Sequence, residues 1–483
     1  MGAPHELTML EQAAAIRRKE LGCAELVEHY LARIDAYDGQ LGAFVTVTAE
    51  QARARARAAD DVVLADPYRL PPLHGVPVAF KDLTLTAGVR TTFGSEVFAT
   101  FVPTQDADVV AALRAAGTIS LGKTAVSEFG NSLYCEPVSG PPTRNPWDLS
   151  RSAGGSSGGA AAAVTAGLVP AAEGSDGGGS IRIPAAICGL VGFKPSRGVV
   201  PGGPLGFGAF GLPTHGPLAR TVPDAAALLD AMAVDAPGEP YLAPPAPEGG
   251  YLAAARRAGP GRLRVGRWTA PVLTDMAPDP ACLAAVEATA AALTRAGHEV
   301  VDVDPPLGPE SEDRFEVVWR VLALATPVPS EREGDLLPVT RWLREQGRRI
   351  SVARLLVVLA ELQAAVRDGA RRLAGIDLLL SPTLATPQVD VGWFAAAGDP
   401  AGDFDRQKRF SPYCATYNLT GQPALSLPLA TTASGAPVGV MLAARPGQDG
   451  KLLRVAAQLE QAMPWAHRHP PQWARPASDT VNR

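Results

Sequence analysis

No run of about 18 uncharged apolar residues occurs in the chain, and the stretch from Met1 to Glu20 carries charges throughout with no apolar leader core. A membrane-spanning or exported protein is therefore not expected, and the chain reads as cytoplasmic. Basic charge is also scarce: 44 Lys and Arg stand against 49 Asp and Glu, a formal net charge of −5. With no Lys/Arg stripe interleaved with aromatics, nucleic acid is not expected as a partner. Only five cysteines are present, Cys23, Cys135, Cys188, Cys282 and Cys414. They are odd in number, far apart and free of C-x-x-C spacing, which argues against a disulfide framework or a zinc site and for buried thiols in a reducing compartment.

What the chain does have is a glycine-, alanine- and serine-rich stretch from Gly154 to Cys188, GGSSGGAAAAVTAGLVPAAEGSDGGGSIRIPAAIC. Two serine clusters, Ser156/Ser157 and Ser180, flank an alanine run whose small side chains and high helix propensity predict a buried helix from Gly158 onward. A short apolar strand over 169–172 then leads into a second glycine turn. Asp176-Gly177-Gly178-Gly179-Ser180 can aim several backbone N–H groups at one point, where an oxyanion would sit. A helix beginning near Ile181 places Ser180 close to a positive helix end.

Around this stretch, periodicity predicts two helices within 8–36 interrupted at Gly22, a strand over 43–48, a helix over 49–65 and a buried strand over 75–80. Further on it predicts a helix over 106–116, strands over 118–121 and 191–194, and a helix over 223–233 capped by Thr221. The Pro-, Gly- and Ala-rich segment 236–261 reads as an exposed connection. Strands over 263–266, 299–303, 376–380 and 439–443 and helices over 280–296, 312–325, 352–373 and 448–463 complete the pattern. Strands alternating with helices imply an α/β protein with a largely parallel sheet covered on both faces. The 483 residues allow two or three average domains or one large domain with insertions.

The apolar strand over 75–80 delivers Lys81 and Asp82 at its end. A lysine closing an apolar strand either snorkels to the surface or is buried, and burial lowers its proton affinity. To act as a base near neutrality, a lysine that titrates at about 10.4 must drop by about three units, roughly 4 kcal/mol. Neutral Lys81 can then take a proton from Ser156, and Ser156 one from Ser180, whose oxygen attacks a carbonyl. On the residues alone, turn chemistry and helix capping are the commoner reading of these serines. A literal Walker A match, GTISLGKT at 117–124, is refused, because a helix precedes its first glycine and strand-like residues fill the loop between the glycines.

The segments GGSSGG and GSDGGGSIRIPAA, the upstream HGVPVAFKD, the lead-in TRNPWD, HGPLART at 215–221 and NLTGQPA at 418–424 together resemble the amidase signature family. The likeness runs from the first helices to about Glu460. It implies one α/β domain over 1–483, with its core motifs in 70–235, built around a large twisted mixed β-sheet with helices on both faces. It implies no metal and no organic cofactor. Carried over residue by residue, it makes Lys81 the base, Ser156 the bridging serine after a cis peptide and Ser180 the nucleophile. Backbone N–H groups of Gly177, Gly178 and Gly179, with that of Ser180, become the oxyanion hole, and Ser157, Asp176 and Arg182 support the loop.

Three positions depart from that pattern: Gly177 stands where many members carry a β-carbon, Ser175 replaces a common Thr, and Glu173 interrupts an apolar approach. The expected reaction is hydrolysis of a C–N bond in a small apolar or aromatic amide, with anilides, cyclic amides, carbamates (urethanes) and esters in the same chemical range. Two rivals exist. Gly154 to Gly158 satisfies the G-x-S-x-G of an α/β-hydrolase, but His215, His298, His467 and His469 lack a convincing acidic partner in a loop after a strand. The glutaminase subunit of a tRNA-dependent amidotransferase resembles the same family, yet Ile183 occupies the place where such subunits carry Gln. Segments 134–138, 207–212, 319–329, 393–397 and 411–417 are expected to line the pocket. Partners are expected to be a small-molecule amide or carbamate and no membrane, with a homodimer among the open oligomeric states.

Overall fold

The computed structural model describes residues 2–473 apart from 139, 205–209, 258 and 274. Its strands are β1 Phe44–Val47, β2 Pro77–Lys81, β3 Ile119–Thr124, β4 Arg144–Asn145, β5 Asp148–Ser152, β6 Ala171–Asp176 and β7 Val191–Lys194. They continue with β8 Thr214–Ala219, β9 Arg264–Arg267, β10 Glu299–Asp302, β11 Leu378–Pro382, β12 Ala424–Thr431 and β13 Pro437–Ala444. Strands β4 and β5 pair with each other, and the other 11 form one sheet in the order β1-β3-β2-β6-β8-β7-β12-β13-β11-β9-β10.

The sheet is mixed, as the family resemblance implies and against the largely parallel sheet that the strand–helix alternation implies. Pairing is parallel where β2 meets β3 and β6 and where β9 meets β10 and β11. It is antiparallel at β1–β3, β6–β8, β7–β8, β7–β12, β12–β13 and β11–β13. At β12–β13 connection length is the physical reason, since a short turn can only return the chain antiparallel. Thr432 and Ala436 close such a turn between β12 and β13, with Thr432 N–H donating to Ala436 O at 2.8 Å.

Consecutive strand residues go to separate cores. Ala79, Ala172, Leu218, Met441 and Ala443 enter one apolar cluster, whereas Val78, Phe80, Ala171, Ala219 and Leu442 enter the other. This period-2 alternation with apolar residues on both sides is why the central strands read as continuous apolar runs. On the first face lie the Gly158–Thr165 and Arg182–Cys188 helices, every residue of both buried. Alanine and glycine there are dictated by contact distance: a β-carbon on Gly159 would stand 2.3 Å from Ala125 N and 2.5 Å from Ala43 O.

Several elements differ from expectation. The strand expected over 169–172 begins at Ala171 and runs to Asp176, so it carries Glu173 and Ser175 within the sheet. The connection 236–261 contains a helix, Gly250–Arg256, that buries Tyr251, Ala254 and Ala255. Helices Pro338–Arg348, Pro400–Phe410 and Ala415–Thr420 and strands β4, β5, β8 and β12 are not among those the sequence patterns predict. The Pro400–Phe410 helix owes its start to local capping: the Asp399 side chain accepts from the N–H groups of Ala401 and Gly402, with Pro400 at the first helical position.

Candidate active site

Lys81 ends β2 with its side chain fully buried, which puts an amine in a place where a charge is poorly solvated. Burial pulls its proton affinity down to about 8, against the opposing pull of Glu173, Cys135 and Asp176. The Nζ donates to Ser156 Oγ at 2.7 Å and to the carbonyl and hydroxyl of Ser175, each at 3.0 Å. Ser175, near the end of β6, therefore supplies two of the three oxygens around the amine.

The peptide bond between Gly155 and Ser156 is cis, as the family resemblance implies. The turn that carries it is fixed from several sides. Ser157 N–H donates to Ser180 O at 3.1 Å and Ser157 Oγ donates to Ser175 O at 3.2 Å. Cys135 Sγ lies 3.3 Å from Ser156 O. Ser157 thus ties the two serine clusters together through main-chain carbonyls.

Beyond β6, the glycine turn is held by a buried ion pair. Arg182 donates to Asp176 through Nε and Nη2, each at 2.9 Å, with both side chains fully buried. Burial alone would push the Asp176 carboxyl up, but the Arg182 guanidinium and the Asn418 amide hold it well below the usual carboxylate range. Asp176 Oδ1 also accepts from Gly179 N–H at 2.7 Å. The Gly179 amide is thus occupied, which corrects its expected place among the oxyanion donors. Among the described residues, the amides of Gly177, Gly178 and Ser180 have no hydrogen-bond partner. Gly179 instead provides the turn: its φ of 133° suits glycine, and a β-carbon there would meet Ile183 Cδ1 at 2.6 Å and Cys414 Cβ at 2.7 Å.

Glu173 lies fully buried beneath Lys81. Its carboxylate accepts from Lys81 N–H at 2.9 Å, lies 2.7 Å from His215 Nδ1, and receives the Thr84 hydroxyl at 3.0 and 3.1 Å. Desolvation works to raise its proton affinity, but His215 and these donors outweigh it, so the carboxyl sits below the ordinary glutamate value. His298 is engaged elsewhere, with Leu263 N–H and Gln458.

Ser156, Ser175, Gly177 and Ser180 open together onto a cavity of about 570 Å³ at the carboxyl ends of β2 and β6. A family model for amidases matches residues 25–453. The chain belongs to the amidase signature family. It is an amidase, a hydrolase of carbon–nitrogen bonds in amides. It is 37% identical to the 6-aminohexanoate-cyclic-dimer hydrolase of Paenarthrobacter ureafaciens over 95% of both chains. Identity to the acylamidase of Rhodococcus erythropolis is 36%, over 96% of this chain and 97% of that one. Among solved structures, 6-aminohexanoate cyclic dimer hydrolase complexed with substrate superposes with a TM-score of 0.89 at 32% identity, over 97% of this chain and 99% of that chain. A bacterial aryl acylamidase does so at 0.87 and 25%, with the same shares covered.

The amidase cavity is walled differently from expectation. Of the expected segments, 319–329 reaches it, through Trp319, Leu322, Ala325, Thr326 and Pro327. Residues of 134–138, 393–397 and 411–417 do not line it: Tyr134 stacks on Phe394 at 4.9 Å between ring centroids, and Tyr417 is fully buried. Of 207–212, residues 207–209 lie outside the described residues. The wall that sequence reasoning missed comes from Leu83, Leu85, Phe93, Phe98, Phe101 and Phe129. Phe93 and Phe129 both have φ of 53°, a backbone rare for bulky residues, and Phe129 N–H donates to Phe93 O at 2.8 Å. Three phenylalanines at 93, 98 and 101, in a chain only 6% aromatic, were the available signal.

Among the described residues, no helix of the amidase is long and apolar enough to cross a membrane.

Proposed function

We propose that the protein hydrolyses a small, neutral, apolar or aromatic amide through a Ser180–Ser156–Lys81 relay and an acyl-enzyme. The observation that carries this reading is the 2.7 Å contact of Lys81 Nζ with Ser156 Oγ in a buried pocket that depresses the amine to about 8. Neutral Lys81 takes the Ser156 proton, Ser156 takes that of Ser180, and the Ser180 oxygen adds to the carbonyl carbon. The negative charge that develops on the carbonyl oxygen falls to the amides of Gly177, Gly178 and Ser180, with Gly179 shaping their turn. The same relay returns its proton to the leaving nitrogen, the C–N bond breaks, and water repeats the attack on the acyl-Ser180 ester.

The cavity supports the substrate class. Its walls are Leu and Phe side chains with Trp319, and no charged side chain lines it among the described residues. A buried amide is available for orientation, Asn131 Nδ2, which has no partner among the described residues. Free glutamine, a zwitterion, finds nothing there to match its charges, and Ile183 is fully buried against Gly179. Both points favour a stand-alone amidase over a glutaminase subunit. The elbow reading loses support too, because the partner of Ser156 is Lys81 and His215 pairs with Glu173. The resemblance to a cyclic dimer hydrolase and an acylamidase brings cyclic amides and anilides forward as first substrates to assay. A carbamate needs no additional catalytic group, only room for its alkoxy side.

Labelling with a fluorophosphonate, followed by peptide mass spectrometry, tests this. The expected adduct sits on Ser180 and disappears in Lys81→Ala. An adduct on Ser156 would return the elbow mechanism, and no adduct on either serine would remove the hydrolytic reading of this site.

A further inference from the structure

Strands β2 and β6 pair in parallel at Ala79 and Ala172, and two residues further along the sheet opens to form the cavity. At that opening the Lys81 N–H is taken by a side chain, the Glu173 carboxylate, at 2.9 Å. The same carboxylate gathers the Thr84 hydroxyl from the segment after β2 and His215 from β8. One fully buried group thus joins three backbone segments under the amine, and it is absent from the cavity lining.

We propose that Glu173 is a positioning residue for amide hydrolysis: its carboxylate pins the end of β2 through the Lys81 N–H and thereby keeps the Lys81 amine aimed at Ser156. This rests on the relay mechanism proposed above.

Charge gives the same residue a second effect. The groups facing the Lys81–Glu173 pair are His215 on β8, Lys123 on β3, Asp176 on β6 and Cys135 before β4. Asp176 is matched by Arg182, and Lys123 also faces Asp82. Glu173 is the strongest charge opposing the neutral form of Lys81. A base that must also hand its proton to the leaving nitrogen works best when its proton affinity lies near the working pH. Burial without Glu173 would take the amine lower and make it a poorer proton carrier.

The test is kinetic, with Glu173→Gln and Glu173→Asp assayed on one anilide across pH. Glu173→Gln keeps the shape and loses the charge. It is expected to lower plateau kcat about tenfold, leave KM within about threefold, and move the acid limb of the kcat profile down by about one pH unit. Glu173→Asp keeps the charge but is too short to hold Lys81 N–H and His215 together, so kcat falls while the acid limb stays. A wild-type kcat in folded Glu173→Asp together with a wild-type kcat and pH profile in folded Glu173→Gln overturns the proposal, as does a rise in KM alone in Glu173→Gln. If that variant does not fold, Glu173→Asp decides by its kcat, and an unchanged value overturns the idea. If neither folds, Glu173 is a structural residue and the proposal falls. Failure of wild-type Ser180 to take the fluorophosphonate would instead indict the underlying mechanism, so the two failures are told apart.

Discussion

Asp176 and Arg182 form a two-pronged ion pair with both side chains fully removed from solvent, and it spans the turn that carries Ser180. Arg182 also donates to Cys414 O at 2.9 Å and to Asn418 Oδ1 at 2.7 Å. The pair therefore anchors the glycine turn to the helix Ala415–Thr420, more than 230 residues away in sequence. Taking one partner away strands a buried charge. Arg182→Met and Asp176→Asn are each expected to cost about 3–5 kcal/mol, read as a lower urea midpoint, with loss of Ser180 labelling.

The glycines of that turn differ sharply in what they tolerate. A β-carbon at Gly177 would meet Trp319 at 3.4 Å and Pro213 at 3.6 Å, ordinary contacts, at a backbone that alanine can adopt. Gly177→Ala should keep kcat within about threefold and gain about 0.4–1 kcal/mol of stability, because the unfolded chain loses freedom. Gly179→Ala meets Ile183 and Cys414 at under 3 Å and should abolish activity. Thermal melts and steady-state assays on the two variants check both outcomes.

Activity should rise with pH through about 8 and then level off. The folded-state affinity of Lys81 lies below that of an ordinary lysine, so its active neutral form accumulates only as pH climbs past about 8. At pH 7, kcat/KM is expected at about one-tenth of its plateau. A profile flat from pH 6 to 9 would rule out Lys81 as the base.

Trp319 stacks on Phe315 at 5.3 Å between ring centroids and forms part of the cavity wall. Trp319→Ala should raise KM for an aromatic amide about tenfold while changing kcat less, since apolar contact is felt alike by bound substrate and transition state. A fall in kcat with KM constant would place Trp319 in the chemistry instead.

Lys81, the serines and the glycine turn stood out because each is marked locally, and the roles proposed for them came from the family resemblance. A lysine closing an apolar strand, and serines flanked by glycines, are unusual enough to be noticed within a few residues. The short alanine-rich helix was legible from helix propensity, and the doubly covered strands from their continuous apolar runs. Glu173 was visible only as an anomaly, since its partners Thr84 and His215 lie 89 and 42 residues away. The aromatic wall was missed because Phe93 to Phe129 join Trp319 only across the folded chain.

By itself, then, the sequence determined the family, the buried helix, the strand that ends at Lys81 and the two serine- and glycine-rich turns. Tertiary structure alone decided which glycine amides stay free, how the strands pair and which apolar segments face the cavity. Local propensity and periodicity act over a few residues. Hydrogen-bond partners and cavity walls are set by contacts between segments that meet only when the sheet has formed.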